Sequence, residues 1–257
     1  MKVLWNDFLA ALAFLTRIPA HGGTGSGALA RSAAFFPLVG ALVGLWLSAA
    51  YWLLQRWWPT TVAAAMVLAL QAGVTGGIHL DGFMDTADGL GSGKPREKVL
   101  EIMRDSRSGA MGVISLMFLL LIKWSALSGL AWPAAERALV LAPAFGRWAM
   151  VWAAAHYGYA RSGSGLGRAF AGLVGSRELA WSFATSTLLA LVLGREGGLL
   201  SFLAAGAVGA LVARSLAGRL GGMTGDTFGF LNEVVEAFYL LLVHLLVAVP
   251  WPGGSWR

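Results

Sequence analysis

Residues 35–54 read FFPLVGALVGLWLSAAYWLL, a stretch without a charged side chain. A helix of this length covers about 30 Å, which is the thickness of the hydrocarbon core of a bilayer. Over all 257 residues, 57% are hydrophobic and only 12% are charged, whereas a soluble domain carries about 25% charged residues. The stretch therefore predicts a membrane-spanning helix, and the composition predicts an integral membrane protein.

Further apolar stretches of similar character follow along the chain. Together with the first they cover residues 35–54, 60–76, 112–130, 138–155, 181–193, 199–216 and 228–249. The fifth is short for a helix that must cross the bilayer. The sequence thus predicts an all-α polytopic bundle of about seven transmembrane helices, forming a single integral membrane domain over residues 1–257.

An additional helix is predicted at the N-terminus. Apolar side chains recur there at helical spacing: Leu4, Phe8, Leu12 and Leu15. Asp7 and Arg17 interrupt the apolar run that a signal peptide would need. We therefore expect residues 4–15 to form a retained helix that lies along the membrane surface.

Lysine and arginine alternate between the connections that join the seven stretches. The N-terminal segment and the even-numbered connections carry 13 of them, and the odd-numbered connections and the C-terminus carry four. By the positive-inside rule, the first group is cytoplasmic and the C-terminus is outside. This orientation requires an odd number of spans, so the charge pattern supports seven independently of hydropathy.

The composition also indicates which kinds of molecule the protein binds. The net charge is +6, but the basic residues are scattered over short loops instead of being gathered on one polar element. We therefore expect a lipid bilayer and no nucleic acid as partner. The chain has no cysteine, which excludes disulfides and thiolate metal sites. The sequence leaves open a homo-oligomer.

Most of the carboxylates lie in two segments that the predicted orientation places on the cytoplasmic side. The first, residues 76–113, reads GGIHLDGFMDTADGLGSGKPREKVLEIMRDSRSGAMGV. In it Asp81, Asp85 and Asp88 follow the spacing i, i+4 and i+7, which confines them to an arc of about 60° on a helix. Because Asp81 and Asp88 would lie about 10.5 Å apart along the axis, either a pair shares one ion or the three serve two ions.

Three like charges on one helix face repel each other unless a cation or nearby arginines offset them. Magnesium suits this stripe because it is held by one or two carboxylates together with substrate phosphates. Zinc suits it less well, since the four histidines are dispersed. The competing interpretation is structural: Asp81 caps a helix, Asp88 and Gly89 form a turn, and Asp85 is solvated. Capping explains one aspartate but not three.

The second segment, residues 221–236, reads GGMTGDTFGFLNEVVE. A helix would place Asp226, Glu233 and Glu236 on one side. Glu233 and Glu236 also enter the seventh apolar stretch, where a buried acid costs about 2.5 to 3.5 kcal/mol. We therefore expect them to face the interior of the bundle, with a snorkelling pair at the membrane edge as the alternative.

Several basic residues stand near these acids. Arg104 and Arg107 precede the third stretch, and guanidinium groups bind phosphate bidentately. They predict a phosphate site, with positive-inside anchoring as the alternative. Arg147 lies mid-span, so we expect it to pair with an acid or contact an anionic substrate. Lys123 is expected to snorkel towards the outer face.

The pattern resembles the cobalamin synthase family, whose members are adenosylcobinamide-GDP ribazoletransferases. The resemblance covers nearly the whole chain: FLTRIPA from Phe14, FFPLVGALVG from Phe35, GGIHLDGFMDTADGL from Gly76, IMRDSRSGAMGV from Ile102, and TGDTFGFLNEVVE from Thr224. Phe230 stands where the family leads us to expect a small residue, and Ser108 where an aliphatic one is expected. The CDP-alcohol phosphotransferases match less well, because Phe83 and Met84 follow an Asp-Gly where that family has Ala-Arg.

The resemblance implies transfer of adenosylcobinamide phosphate from adenosylcobinamide-GDP to alpha-ribazole or its 5′-phosphate. GMP would be released, and adenosylcobalamin or its 5′-phosphate formed, in the last steps of cobalamin biosynthesis. It further implies a multi-pass protein of the bacterial cytoplasmic (inner) membrane, with a cytoplasmic N-terminus and active site. An ion-coupled transporter is the alternative from another class, because intramembrane acids also mark ion pathways.

On this interpretation the candidate site residues have the following roles. Asp81, Asp85 and Asp88 are catalytic and hold magnesium on the pyrophosphate. Asp226, Glu233 and Glu236 complete the metal site or supply a base, with Asp226 counted among the metal ligands and the two glutamates among the catalytic residues. Substrate phosphate is bound by Arg104, Arg107 and Arg147.

Overall fold

The structure is a computed structural model that describes residues 2–23, 26–162, 166–169 and 171–248. Within these ranges the chain forms ten α-helices: α1 (Lys2–Leu15), α2 (Ser26–Ser32), α3 (Phe36–Leu54), α4 (Thr60–Thr75), α5 (Ile78–Gly91), α6 (Arg96–Ile102), α7 (Ala110–Ser128), α8 (Ala134–His156), α9 (Ser176–Leu220) and α10 (Gly225–Ala248). The same residues contain a single isolated β-bridge, between Tyr159 and Met223. The all-α prediction is confirmed.

Five helical segments of the described chain are long and apolar enough to cross a membrane. They are Gly27–Leu54, Ala110–Ser128, Ala134–His156, Gly197–Leu220 and Gly225–Ala248, and α4 with α5 would make a sixth if the bent pair were one span. The polytopic helix bundle is thereby confirmed, whereas the count of seven spans stays a prediction. The C-terminus, predicted to lie outside, falls in residues 249–257, beyond the described residues.

A sharp bend separates α4 from α5. Gly76 and Gly77 both adopt the left-handed conformation, with φ of 65° and 69°, which glycine takes without the steric cost that a Cβ imposes. The two helix axes consequently differ by 94°. Helix α4 corresponds to the predicted stretch 60–76, and α5 runs from its end at this angle, outside that stretch.

The long helix α9 contains a reversal of the chain. The rings of Phe183 and Phe202 lie 5.6 Å apart, although a straight helix between them would be about 28 Å long. A Cβ on Gly198 would also overlap the carbonyl oxygen of Ala190. The predicted stretches 181–193 and 199–216 therefore lie in two antiparallel arms, of which the second, from Gly197, meets the length and apolarity of a span.

Small residues allow the central helices to approach closely. On α3, Gly40 and Gly44 are one turn apart, and a Cβ on either would overlap the backbone of α8 at Pro143 or Leu139. Glycines at this spacing are typical of tightly packed membrane helices. Helix α8 is buried along most of its length, so it forms the centre of the bundle. The division into domains stays a prediction, because the described residues stop at 248.

The N-terminal helix α1 packs beside α3 and confirms the helix predicted over residues 4–15. Leu15 is fully buried, the ring of Phe14 stacks on that of Phe36 at 5.7 Å, and Arg31 forms a 3.3 Å ion pair with Asp7. These contacts orient the end of α1 towards the α4–α5 bend, where the backbone amide of Arg17 donates to the carbonyl of Val74. Its location on the membrane surface stays a prediction.

Candidate active site

The crossing of α5 and α10 brings the two predicted acidic segments together. A Cβ on Gly82 would lie 2.7 Å from the carbonyl oxygen of Asp226, and one on Gly229 would lie 2.9 Å from that of His79. Only glycine permits this separation of the two backbones. Beside the crossing, the rings of Phe83 and Phe230 stack with centroids 4.9 Å apart, which accounts for an aromatic residue at position 230.

A cavity of about 370 Å³ opens at this crossing. We call it the acid–arginine cavity, and its lining includes Asp81, Arg104, Tyr159, Arg161, Asp226 and Phe228. One guanidinium nitrogen of Arg161 lies 2.7 Å from a carboxylate oxygen of Asp226. The cavity thus contains three predicted site residues, Asp81, Asp226 and Arg104. It also contains Arg161, which the sequence did not identify as a candidate.

A short piece of backbone pairing places Arg161 there. The amide of Met223 donates to the carbonyl of Gly158, and the amide of Ala160 donates to the carbonyl of Met223. These bonds tie the connection after α8 to the loop before α10. Arg96 reinforces the joint, because its guanidinium donates to the carbonyls of Leu220 at 2.6 Å and Ala160 at 2.7 Å. Arg96 thereby connects the start of α6 to both segments.

Asp85 lies between Asp81 and Asp88 on α5 and is partly buried. Burial, reinforced by the charges of Asp81, Asp226 and Asp88, raises the pKa of the Asp85 carboxyl to about 7. Arg161 opposes this shift without cancelling it. The predicted clustering of like charges is thus present, and the cluster has a deficit of positive charge that a bound cation would relieve.

Asp88 lies on the same face of α5 as Asp81 and Asp85, but its carboxylate binds backbone amides. Its two carboxylate oxygens accept hydrogen bonds from the backbone amides of Gly109 at 2.6 Å and Gly112 at 2.7 Å. These amides belong to the first turn of α7, where helix geometry leaves amides without intrahelical acceptors. Asp88 therefore caps α7 although it lies on a different helix. This arrangement does not support its predicted role as a metal ligand.

The two predicted phosphate-binding arginines of the α6–α7 connection separate in space. Arg104 lines the acid–arginine cavity. Arg107 lies outside it, with a side chain that is 87% exposed and bound to Asp105 at 2.6 Å. The structure thus brings Arg104, but not Arg107, to the acids.

Glu233 and Glu236 lie away from the cavity, in a buried ionic network. Lys123 donates to one oxygen of each glutamate, at 2.8 Å in both cases, and Arg147 donates to Glu236 at 2.9 Å. All four side chains are at most 4% exposed. The expectation that Lys123 snorkels to the outer face is therefore wrong, and the expectation that Arg147 pairs with an acid is confirmed.

Two neutral side chains also donate hydrogen bonds to this network. Gln71 donates to Glu236 at 2.7 Å, and Asn232 donates to the other oxygen of the same carboxylate at 2.9 Å. Two acids and two cations then balance in charge, which is the condition for keeping ions buried in a bundle. The arrangement gives these residues a structural role and does not support the predicted catalytic role of Glu233 and Glu236 or a substrate contact by Arg147.

A second, more open cavity of about 660 Å³ adjoins the first. We call it the outer groove, and its lining includes Phe14, Arg17, Gly76, Asp81, Met84 and Leu116. Asp81 and Phe14 line both cavities. Asp81 therefore lies where the two cavities meet, and ligands in either cavity can contact it.

The donors at the crossing suit a hard cation held together with a substrate. Among the described residues, no three His, Cys, Asp or Glu side chains are arranged to enclose a metal by themselves. Asp81 and Asp226 nevertheless both line the acid–arginine cavity, with Asp85 beside them. One or two carboxylates plus phosphate oxygens is the usual environment of magnesium, so the residues present fit that ion.

Comparison with known proteins identifies the family. The family described as cobalamin-5-phosphate synthase matches residues 7–244. The chain is 39% identical to an adenosylcobinamide-GDP ribazoletransferase of Roseiflexus sp. (strain RS-1), over 94% of this chain and 91% of the relative. It is 40% identical to the enzyme of that name in Herpetosiphon aurantiacus, over 92% and 95%, respectively. No solved structure is found to match. The chain therefore belongs to the cobalamin-5-phosphate synthase family.

Proposed function

We propose that this protein is a magnesium-dependent adenosylcobinamide-GDP ribazoletransferase. It transfers the adenosylcobinamide phosphate moiety to alpha-ribazole or alpha-ribazole 5′-phosphate, releases GMP, and forms adenosylcobalamin or its 5′-phosphate. Membership of the family, whose matched relatives carry this name, supports the reaction. The proposal on the site depends on one observation, the meeting of Asp81, Asp226, Arg104 and Arg161 in one cavity.

The charges of the cavity correspond to the charges of a pyrophosphate substrate. Arg104 and Arg161 supply planar, permanently charged donors, which suit phosphate oxygens. Arg161 is 90% buried on its side chain, and its Nε has no hydrogen-bond partner among the described residues. We propose that the two arginines bind and orient the pyrophosphate. The ion pair with Asp226 fixes the orientation of the Arg161 side chain.

Magnesium, bound by Asp81, Asp226 and Asp85 together with the substrate, would neutralise negative charge on the phosphate oxygens. Burial and the neighbouring acids raise the pKa of Asp85, and a bound cation would offset the repulsion among these acids. Asp88 acts indirectly in this account, by fixing the start of α7 against α5.

The reaction breaks the phosphoanhydride bond of the donor and forms a new phosphoester bond to the acceptor. A hydroxyl oxygen of the ribazole attacks the phosphorus atom joined to cobinamide, and the bond from that phosphorus to the bridging pyrophosphate oxygen breaks. The bridging oxygen leaves with GMP. The hydroxyl proton passes to a carboxylate lining the cavity, Asp81 or Asp226, a contribution of about 100-fold to 10,000-fold when such a base is well placed.

We further propose that the acid–arginine cavity opens on the cytoplasmic side of the bacterial inner membrane. The unequal distribution of Lys and Arg over the connections supports this orientation. Both substrates are then available from the cytoplasm, while the apolar body of the bundle remains in lipid. Cysteine placed at Ser92, in the connection after α5, should react with a membrane-impermeant maleimide only after the cytoplasmic face is exposed.

The experiment that tests the activity uses purified protein in detergent with adenosylcobinamide-GDP and ribazole 5′-phosphate, with and without magnesium. GMP release in a one-to-one ratio with the cobalamin product, and dependent on magnesium, supports the proposal. Absence of turnover by protein that remains folded contradicts it.

Ion-coupled transport has less support from the structure. The two acids within a predicted span, Glu233 and Glu236, are paired with Lys123 and Arg147 and are almost completely buried, whereas a transport path needs acids that exchange with water or ions. Transport would appear as substrate flux into sealed vesicles without GMP release, so reconstitution of the purified protein into vesicles distinguishes the two functions.

A further inference from the structure

Asp81 separates two cavities of different chemical character. The acid–arginine cavity contains two arginines beside Asp81 and Asp226. The outer groove contains a single arginine, Arg17, beside Asp81 and several apolar side chains. The first suits the doubly charged centre of a pyrophosphate, and the second suits an amphipathic molecule with one anionic group.

The position of Arg17 depends on the α4–α5 bend. Its backbone amide donates to the carbonyl of Val74 at 2.7 Å, which fixes the end of α1 against α4. Its side chain then runs across Gly76, where a Cβ would overlap the guanidinium Nε. Glycine at position 76 thus permits the left-handed turn and also leaves space for the Arg17 side chain.

Arg17 also has unused binding capacity. None of the ion pairs formed by the described residues includes it, and its side chain is exposed at the groove. An arginine in this situation can provide two parallel donors to a phosphate without first losing a protein partner. The groove therefore offers one ready site for a phosphate group.

The geometry of phosphoryl transfer explains why two cavities should meet at one acid. The attacking and leaving oxygens lie roughly in line, on opposite sides of the phosphorus atom. A donor held in the acid–arginine cavity directs its leaving group into that cavity. The acceptor must then reach the phosphorus from another direction, and the outer groove, which shares Asp81 with the acid–arginine cavity, is the adjoining space.

We propose that the outer groove binds the acceptor and that Arg17 binds the acceptor's 5′-phosphate. Arg17 is then the residue that selects phosphorylated ribazole over unphosphorylated ribazole. This inference rests on the proposed function, because it assigns a second substrate of the same reaction. The apolar side chains of Phe14, Met84 and Leu116 would contact the base of the acceptor.

The test measures kcat/KM with ribazole 5′-phosphate and with ribazole for the wild type, Arg17→Ala and Arg17→Lys. We expect the wild type to prefer the phosphorylated acceptor and Arg17→Ala to lower that preference about 10- to 100-fold, the worth of a charge-assisted phosphate contact. Arg17→Lys should retain part of it. Arg104→Ala should lower both values by the same factor, and the exposed Arg219→Ala should change neither.

Three results overturn the assignment: a wild type without preference, a preference that Arg17→Ala leaves intact, or equal losses with both acceptors in Arg17→Ala. The last would also be the outcome if Arg17 bound the phosphate of a lipid headgroup, and addition of anionic lipid would then change the rate of the wild type but not of the variant.

A binding measurement keeps this test separate from that of the proposed function. If folded wild type turned over neither acceptor, the proposed reaction would fail, but thermal stabilisation by each acceptor would still report on the groove. Greater stabilisation by the phosphorylated acceptor, lost in Arg17→Ala, supports the site. Equal stabilisation by both acceptors, or a difference that survives in Arg17→Ala, overturns it.

Discussion

The guanidinium of Arg161 lies 2.7 Å from the carboxylate of Asp226, at the point where two connections on one side of the bundle meet. Neither residue lies near the other in sequence, and a β-bridge between Tyr159 and Met223 brings them together. The ion pair holds one arginine and one acid in the cavity in fixed relative orientation. It is the contact on which the proposed pyrophosphate site depends most directly.

Replacement of Arg161 should therefore reduce activity more than replacement of an arginine outside the cavity. We expect Arg161→Ala to lower kcat/KM about 100-fold or more, the range found when one donor to a developing charge is removed. Arg161→Lys should recover little, since lysine lacks the planar fork. Arg219→Ala is the control, because its exposed side chain at the end of α9 lies outside the cavity. A normal rate for Arg161→Ala would exclude Arg161 from the site.

The sequence predicted the helix of the three aspartates but not their separate partners. Spacing alone places Asp81, Asp85 and Asp88 on one face of α5, and that helix is present. Spacing does not show that α7 begins beside Asp88. Because α7 begins there, the Asp88 carboxylate accepts hydrogen bonds from the amides of Gly109 and Gly112. Helical periodicity defines a face, whereas the partner of each residue depends on tertiary packing.

Asp88 should accordingly behave as a capping residue. We expect Asp88→Ala to destabilise the protein by about 1 to 2 kcal/mol, the usual cost of losing a side-chain cap, without changing the magnesium concentration that gives half-maximal activity. Thermal unfolding and a magnesium titration of the remaining folded protein measure the two effects. A large shift in the magnesium requirement with unchanged stability would restore Asp88 to the metal site.

Asp85 should show the opposite behaviour, because its carboxylate is partly buried and is repelled by the neighbouring acids. Its pKa is about 7 in the folded protein and close to 3.8 when unfolded. The folded state thus binds the proton more tightly, and the stability contributed by this group is lost as the pH rises from about 4 through 7.

We therefore expect Asp85→Asn, without divalent cations, to raise the unfolding temperature more at pH 8 than at pH 5, while it lowers magnesium-dependent activity. Unfolding curves recorded in EDTA at the two pH values measure the difference. The exposed carboxylate of Glu97, replaced by Gln, is the control and should give no comparable change. Destabilisation of Asp85→Asn at pH 8 would contradict the repulsion.

The buried acids illustrate a second limit of sequence reasoning. The cost of an acid in a span correctly predicted that Glu233 and Glu236 face the bundle interior. Their partners Lys123 and Arg147 come from α7 and α8, and no local pattern connects those helices with α10. Sequence reasoning therefore predicts a catalytic role for these acids, whereas the structure places them in a buried ionic network.

A double-mutant cycle tests that structural role. Lys123→Met and Glu233→Gln each leave one uncompensated buried charge, and we expect each to destabilise the protein by about 3 to 5 kcal/mol. The double variant restores neutrality, with Glu236 still paired to Arg147, and should recover much of the loss. Chemical unfolding in detergent measures the three variants.

The exposed pair of Lys98 and Glu101 provides the matched control. It has the same 2.8 Å separation as Lys123 and Glu233, but its coupling should be below about 1 kcal/mol because solvent screens it. Glu233→Gln with normal stability, a lost rate and an altered pH–rate profile would instead assign Glu233 to proton transfer.

In the proposed site, Asp81 and Asp226 bind magnesium and the pyrophosphate together. The most direct test is a magnesium titration of GMP release by the wild type, Asp81→Asn and Asp226→Asn, in protein shown to be folded. We predict that each substitution raises the magnesium concentration for half-maximal rate at least about tenfold, as loss of one charged ligand requires. Wild-type rates and an unchanged magnesium requirement in both variants would contradict the account.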